Sequence, residues 1–196
     1  MFYKLEEFYK RSKVTFIFLA IMIGYFIIMS INGGTTNAAN LVRFGALFPP
    51  FILQFNQYFR FITAIFIHIG IVHLYFNSYA LYIFGPQMER LMGSRNFLIF
   101  FLLTGIGGNI ATFFFNFNTV SAGASGGLFG IFGAFFYMIR KHSNMITSGG
   151  RKQILRLLGI NLAITILVPS ISITAHLGGF VIGYLLSFIF IKRIFP

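Results

Sequence analysis

Few side chains in this sequence could do chemistry, and their spacing is therefore informative. Ser125 lies in Gly123-Ala124-Ser125-Gly126-Gly127 at the head of an apolar run, and His176 opens another in Thr174-Ala175-His176-Leu177-Gly178-Gly179. His73 and Asn77 stand i and i+4 within a third run, a spacing that puts both on one face of a helix. A serine hydroxyl within hydrogen-bond reach of an imidazole is an activated nucleophile. Backbone N–H groups in the first turn of a helix starting at Ser125 have no partner within that helix and can stabilise an oxyanion. The chain has no cysteine, which excludes disulfides, thiolate metal sites and cysteine nucleophiles. It has no Asp either, and neither a metal nor a cofactor is expected. Each residue also has an ordinary reading. A serine in a membrane helix commonly bonds back to a carbonyl of the previous turn, and His73 with Asn77 could clamp two helices together.

The elements that must position these groups are set by composition. Of 196 residues, 57% are hydrophobic and 9% charged, a mixture suited to lipid and not to water. A membrane helix takes about 20 predominantly apolar residues, and six segments meet or approach that length: 14–31, a span within 61–84, 96–117, 124–139, 154–168 and 172–191. The expected fold is an all-α integral membrane bundle of six transmembrane helices. A single membrane domain fills residues 1–196, with a short N-terminal segment, 1–13, ahead of the first span. No small-residue cleavage site follows the first apolar run, so it reads as a retained helix. Residues 32–58 form a long loop whose apolar part, 44–55, embeds it partly in the membrane. Pro169 is expected to end the fifth span.

The net charge of +12 does not indicate a nucleic-acid binder, because Lys and Arg fall in small groups between apolar runs and form no stripe. They set topology instead. With the N-terminus inside, thirteen of the fifteen basic residues are inside, Lys192 and Arg193 among them, leaving Arg43 and Arg60 outside. Both termini are then cytoplasmic in a multi-pass protein of the cell membrane. Spans two, four and six enter from the outer side, which places His73, Ser125 and His176 at similar outer depth. Ionisable or polar groups at such positions are costly and are functional candidates. Gly126, Gly130 and Ala134 recur every four residues, and His176 shares a face with Gly179, Gly183 and Ser187. Such small-residue stripes allow the fourth and sixth helices to approach closely. Arg60 is read as an interfacial anchor with its stem in lipid, His68 as an interfacial or loop-anchoring residue, and Glu89 beside Arg90 as a helix-end contact.

In this order, His73-x-x-x-Asn77, Gly123-x-Ser125-Gly126 and Ala175-His176-x-x-Gly179-x-x-x-Gly183 resemble the rhomboid family of intramembrane serine proteases in its minimal six-helix bacterial form. The resemblance covers about 59–183. It implies Ser125 as nucleophile and His176 as general base, without an acidic third member. It further implies an oxyanion hole formed by the Ser125 backbone N–H with the His73 and Asn77 side chains. Gly179 would permit the close approach of helices, Phe129 would stack on the catalytic imidazole where relatives often carry Tyr, and the loop would support the site. Phe59-Arg60 replaces the usual Trp-Arg pair.

The expected activity is a serine endopeptidase that cuts transmembrane segments of other membrane proteins near the outer face. Its partners are the substrate and the bilayer, with no nucleic acid. The alternative is a rhomboid-like protein that holds membrane clients without cutting them. A small transporter would require charged residues near the midplane, and the spans offer none beyond the histidines.

Overall fold

A computed structural model describes residues 2–168 and 171–191, and among these the side chains of all but 2–5 and Met145. Pro169, Lys192 and Arg193, to which the sequence assigned a helix stop and two inside charges, lie outside the described residues. Ten α-helices make up most of the described chain: α1 (Phe2–Arg11), α2 (Lys13–Ile31), α3 (Ala38–Arg43), α4 (Pro49–Phe55), α5 (Arg60–Thr63), α6 (Gly70–Met92), α7 (Ser94–Phe115), α8 (Ser125–Lys141), α9 (Ser148–Leu167) and α10 (Ile173–Phe190). Three of them, α2, α7 and α10, are long and apolar enough to cross a membrane on length and composition alone. The other long helices miss those criteria for identifiable reasons. Helix α8 has only 17 residues, α6 interrupts its apolar run with His73, Asn77, Ser78 and Gln87, and α9 opens with Arg151, Lys152 and Arg156.

The outer faces confirm the solvent. Ile28, Tyr75, Phe76, Phe114, Phe115, Ile166 and Leu167 are all more than half exposed, an apolar surface that suits acyl chains and would be a liability in water. The bundle is a multi-pass membrane protein. Helix α8 is its axis, burying twelve of its seventeen residues against α7 and α10. Around it the core is built from aromatic rings, with Phe97, Phe100 and Phe101 of α7 fully buried and Phe18 of α2 meeting Phe101 at 4.9 Å.

Two elements differ from the sequence expectation. The second span begins at Gly70, later than 61–69 would suggest, because that segment is taken up by α5 and by a tight turn ending at Gly70, whose φ of +78° breaks the helical path. The span continues through Pro86 to Met92 and ends at Gly93, also at φ +78°. The loop expected over 32–58 holds α3 and α4. Their anchor is Arg60, which is buried, not an interfacial anchor with its stem in lipid. Its Nη1 donates to the Val42 and Ala46 carbonyls at 2.7 and 2.8 Å, and Nε donates to Gln57 Oε1 at 2.7 Å. The guanidinium also lies over the rings of Phe51 and Phe59, 5.4 Å from each. A planar five-donor group satisfies several loop carbonyls at once, and this explains why the charge is drawn inward.

Glu89 also has a larger role than a helix-end contact. Its carboxylate accepts from the Val14 and Thr15 amides, both at 2.9 Å, from Thr15 Oγ1 at 2.8 Å and from Ser94 Oγ at 2.6 Å. It therefore caps the start of α2 from a distant helix, satisfying N–H groups that α2 itself leaves open.

Candidate active site

Gly123 explains why Ser125 stands where it does. Residues 121–124 lead into α8, and three ties fix them to the preceding loop. Leu47 and Ser121 exchange backbone hydrogen bonds of 2.8 and 2.9 Å, Gly123 N donates to the Ala64 carbonyl at 2.8 Å, and Ala124 N meets His68 Nε2 at 3.5 Å. The chain then turns into the helix at Gly123, with φ at +136°, a conformation that suits glycine. A Cβ there would also stand 2.8 Å from His73 Nε2, too close for van der Waals contact with the imidazole, and 3.8 Å from Ser125 Oγ. The ring of His73 and the hydroxyl of Ser125 thus flank the same space, which the missing side chain leaves open. No side chain caps α8, so the amides of its first turn remain available at the serine.

The hydrogen bonds around the two loop-side histidines define their tautomers. His68 Nδ1 lies 3.2 Å from the Phe66 carbonyl, which can only accept, so the proton is on Nδ1 and Nε2 accepts from Ala124 N. His68 is fully buried and lies in the loop ahead of α6, and burial pushes its pKa well down. It serves as a neutral bridge pinning the segment before Ser125. His73 accepts at Nδ1 from Ile69 N at 3.4 Å, which leaves its proton on Nε2, the atom facing Gly123 and the serine. The two rings meet edge to face at 5.1 Å. Asn77, one turn further along α6, donates from Nδ2 to the His73 carbonyl at 3.0 Å, and its buried Oδ1 has no partner.

His176 approaches from α10. A close contact between helices makes this possible: a Cβ on Gly179 would fall on the Gly126 carbonyl, and one on Gly183 on the Gly130 carbonyl. The contact is asymmetric. Gly179 and Gly183 have no room for a side chain, whereas at Gly126 a methyl would meet its neighbours at 3.5 Å, an ordinary contact distance. The imidazole of His176 stacks on Phe129, with centroids 4.1 Å apart and planes 14° from parallel. Phe129 is one helical turn, about 6 Å along the axis, from Ser125 on α8. The start of α10 is held in turn by α7, where Thr174 Oγ1 donates to Asn116 Oδ1 at 2.6 Å and Thr112 Oγ1 lies 3.1 Å from Thr174 Oγ1 and 3.2 Å from Ser172 Oγ.

The structure therefore gathers Ser125, His176, His73, Gly123, Phe129 and Gly179 around the N-terminal end of α8, with Asn77 one turn from His73 on α6, while Gly183 is one turn deeper. Among the described residues no cluster of metal-ligating side chains occurs. Sequence reasoning missed Thr165, whose Oγ1 lies 2.7 Å from His176 Nδ1. A single threonine in an apolar run carries no signal in one sequence. It also missed the Ser172, Thr174 and Asn116 group, for which the sequence signal was a serine three residues before Ala175, at the start of the span.

Comparison with known proteins gives the family. Residues 55–193 match the family description Rhomboid domain. The chain is 40% identical over 174 residues to the rhomboid protease GluP of Bacillus subtilis, covering 89% of this chain and 34% of that protein. It is 36% identical over 139 residues to the putative rhomboid protease YdcA of the same organism, covering 70% of each. RHOMBOID-like protein 6, mitochondrial, of Arabidopsis thaliana is 34% identical over 159 residues, which is 80% of this chain and 52% of that protein. This chain belongs to the rhomboid family.

Proposed function

We propose that the protein is an intramembrane serine endopeptidase whose nucleophile is Ser125 and whose general base is His176. Residues 1–196 act as a single membrane domain, embedded in the cell membrane with both termini cytoplasmic, and the substrate is a transmembrane segment of another membrane protein, cut near the outer face. The observation that carries the proposal is the meeting of two imidazoles and one serine at the start of a helix: His176 stacked on Phe129 one turn from Ser125, and His73 across the open face of Gly123. Two relatives bear the name rhomboid protease, which supports the same reading.

In the reaction, His176 Nε2 takes the proton of Ser125 Oγ as that oxygen attacks the scissile carbonyl carbon. The tetrahedral oxyanion lies toward the Ser125 amide and the Nε2–H of His73, donors present before the substrate arrives, and toward the Asn77 side chain, whose Nδ2 keeps a second N–H beyond the one given to the His73 carbonyl. His176 then passes its proton to the leaving nitrogen as the C–N bond breaks. Water releases the acyl group by the same steps with oxygen in place of nitrogen. Helical substrates hide their carbonyls in i to i−4 bonds, so Gly, Pro or polar residues that unwind the helix locally favour cleavage. Purified protein given a model transmembrane substrate should cut it, and Ser125→Ala or His176→Ala should abolish the cut. Undiminished cleavage in either variant would refute the assignment and leave client binding as the better reading.

A further inference from the structure

Helix α9 is loosely attached to the bundle, and among its twenty residues only Leu158 and Thr165 are buried. Burying a hydroxyl has a cost unless it is hydrogen-bonded, and Thr165 is only 3% exposed. Its Oγ1 has two neighbours, the Asn161 carbonyl at 2.7 Å and His176 Nδ1 at 2.7 Å. A threonine hydroxyl carries one proton, and a carbonyl can only accept. If that proton went to the imidazole, Thr165 Oγ1 and the Asn161 oxygen would face each other as two acceptors at 2.7 Å. The hydroxyl therefore donates to Asn161, and His176 Nδ1–H donates to the hydroxyl.

We infer that Thr165 is a positioning residue that fixes the tautomer of His176, taking the place an acidic third member would hold. The inference rests on the Ser125 and His176 reading above. With the proton held on Nδ1, the lone pair of neutral His176 is on Nε2, the nitrogen required to accept the serine proton. Phe129 sets the plane of the ring by stacking, and Thr165 sets its rotation within that plane. The chain from Nδ1–H through the Thr165 hydroxyl to the Asn161 carbonyl also persists when His176 is protonated, because both ring nitrogens then donate. A neutral hydroxyl serves where a carboxylate would have to be buried without water, an arrangement that fits a chain with no Asp.

The test joins kinetics with nitrogen-15 NMR of histidine-labelled protein. Thr165→Val keeps the branched shape and removes the hydroxyl; the expected result is a kcat about 10- to 100-fold lower, the effect of losing one buried hydrogen bond to the reacting base. KM should stay within about twofold, since no substrate contact is lost. Thr165→Ser should restore most of the turnover. In the wild type, the His176 resonances, assigned by their loss in His176→Ala, should show a protonated Nδ1 and an unprotonated Nε2, and Thr165→Val should lose that preference. Wild-type kcat in Thr165→Val, or an Nε2-protonated neutral His176 in the wild type, would overturn the inference; the second result needs no folded variant. Failure of the underlying reading is separate, because it would appear as cleavage surviving Ser125→Ala or His176→Ala.

Discussion

The sharpest mechanical consequence of the fold concerns Gly179. A methyl added there would stand 2.7 Å from the Gly126 carbonyl carbon and 2.9 Å from its Cα, where ordinary contact begins at 3.4 Å. Backbone atoms cannot rotate aside as a side chain can, so Gly179→Ala must part α8 and α10 by more than about 0.7 Å, the gap between 3.4 and 2.7 Å for the carbonyl carbon alone, because the carbonyl oxygen is nearer still. His176 is three residues from this contact on one helix and Ser125 one residue from it on the other. Misplacement of reacting groups on the order of 1 Å can cost about 100-fold in rate, and a kcat about 10- to 100-fold lower is expected. Stability should suffer less. Overpacking costs about 1–3 kcal/mol, partly offset by the roughly 1 kcal/mol that alanine gains over glycine within a helix. Cleavage of a transmembrane substrate in detergent or liposomes, beside thermal unfolding of the same sample, separates the two effects. Gly24→Ala on α2, with no atom within 4 Å of the added methyl, is the control and should turn over normally. Wild-type kcat in Gly179→Ala would refute the idea that this contact sets the distance between serine and histidine.

Asn77→Ala should impair cleavage without abolishing it, because the Ser125 amide and His73 still face the oxyanion; unchanged turnover would remove Asn77 from that role. Glu89→Gln places an amide NH2 against donors now satisfied by the carboxylate, and a stability loss of about 2–4 kcal/mol in equilibrium unfolding is expected, with activity per folded molecule preserved. Arg60→Lys cannot reach Gln57, Val42 and Ala46 together. Amide hydrogen exchange over 42–47 should accelerate, and protection equal to wild type would show that the loop is held by other contacts.

The membrane fold was legible because lipid leaves few options: long apolar runs must be helices, and basic residues mark their ends. Ser125, His176, His73 and Asn77 stood out because polar groups are rare in such runs. What one sequence could not reveal was pairing across helices. Arg60 looked like an interfacial anchor since its carbonyl partners, Val42 and Ala46, have no side-chain signature. Glu89 looked local because its partners are main-chain amides 74 and 75 residues away. Thr165 resembled any other polar residue in a helix, and its importance comes only from facing Nδ1 of His176. The second span was bounded too early, within 61–84, since residues 61–69 are as apolar as a span although they turn back at Gly70, and the helix runs on to Met92.

The central claim is that Ser125 is a nucleophile made reactive by His176. A mechanism-based serine inhibitor, incubated with the purified protein and followed by intact-mass and peptide mass spectrometry, tests it without knowledge of any substrate. One covalent adduct is expected, on Ser125, lost in His176→Ala and in Ser125→Ala. An adduct on another serine, or labelling of Ser125 at the same rate in His176→Ala, would contradict it.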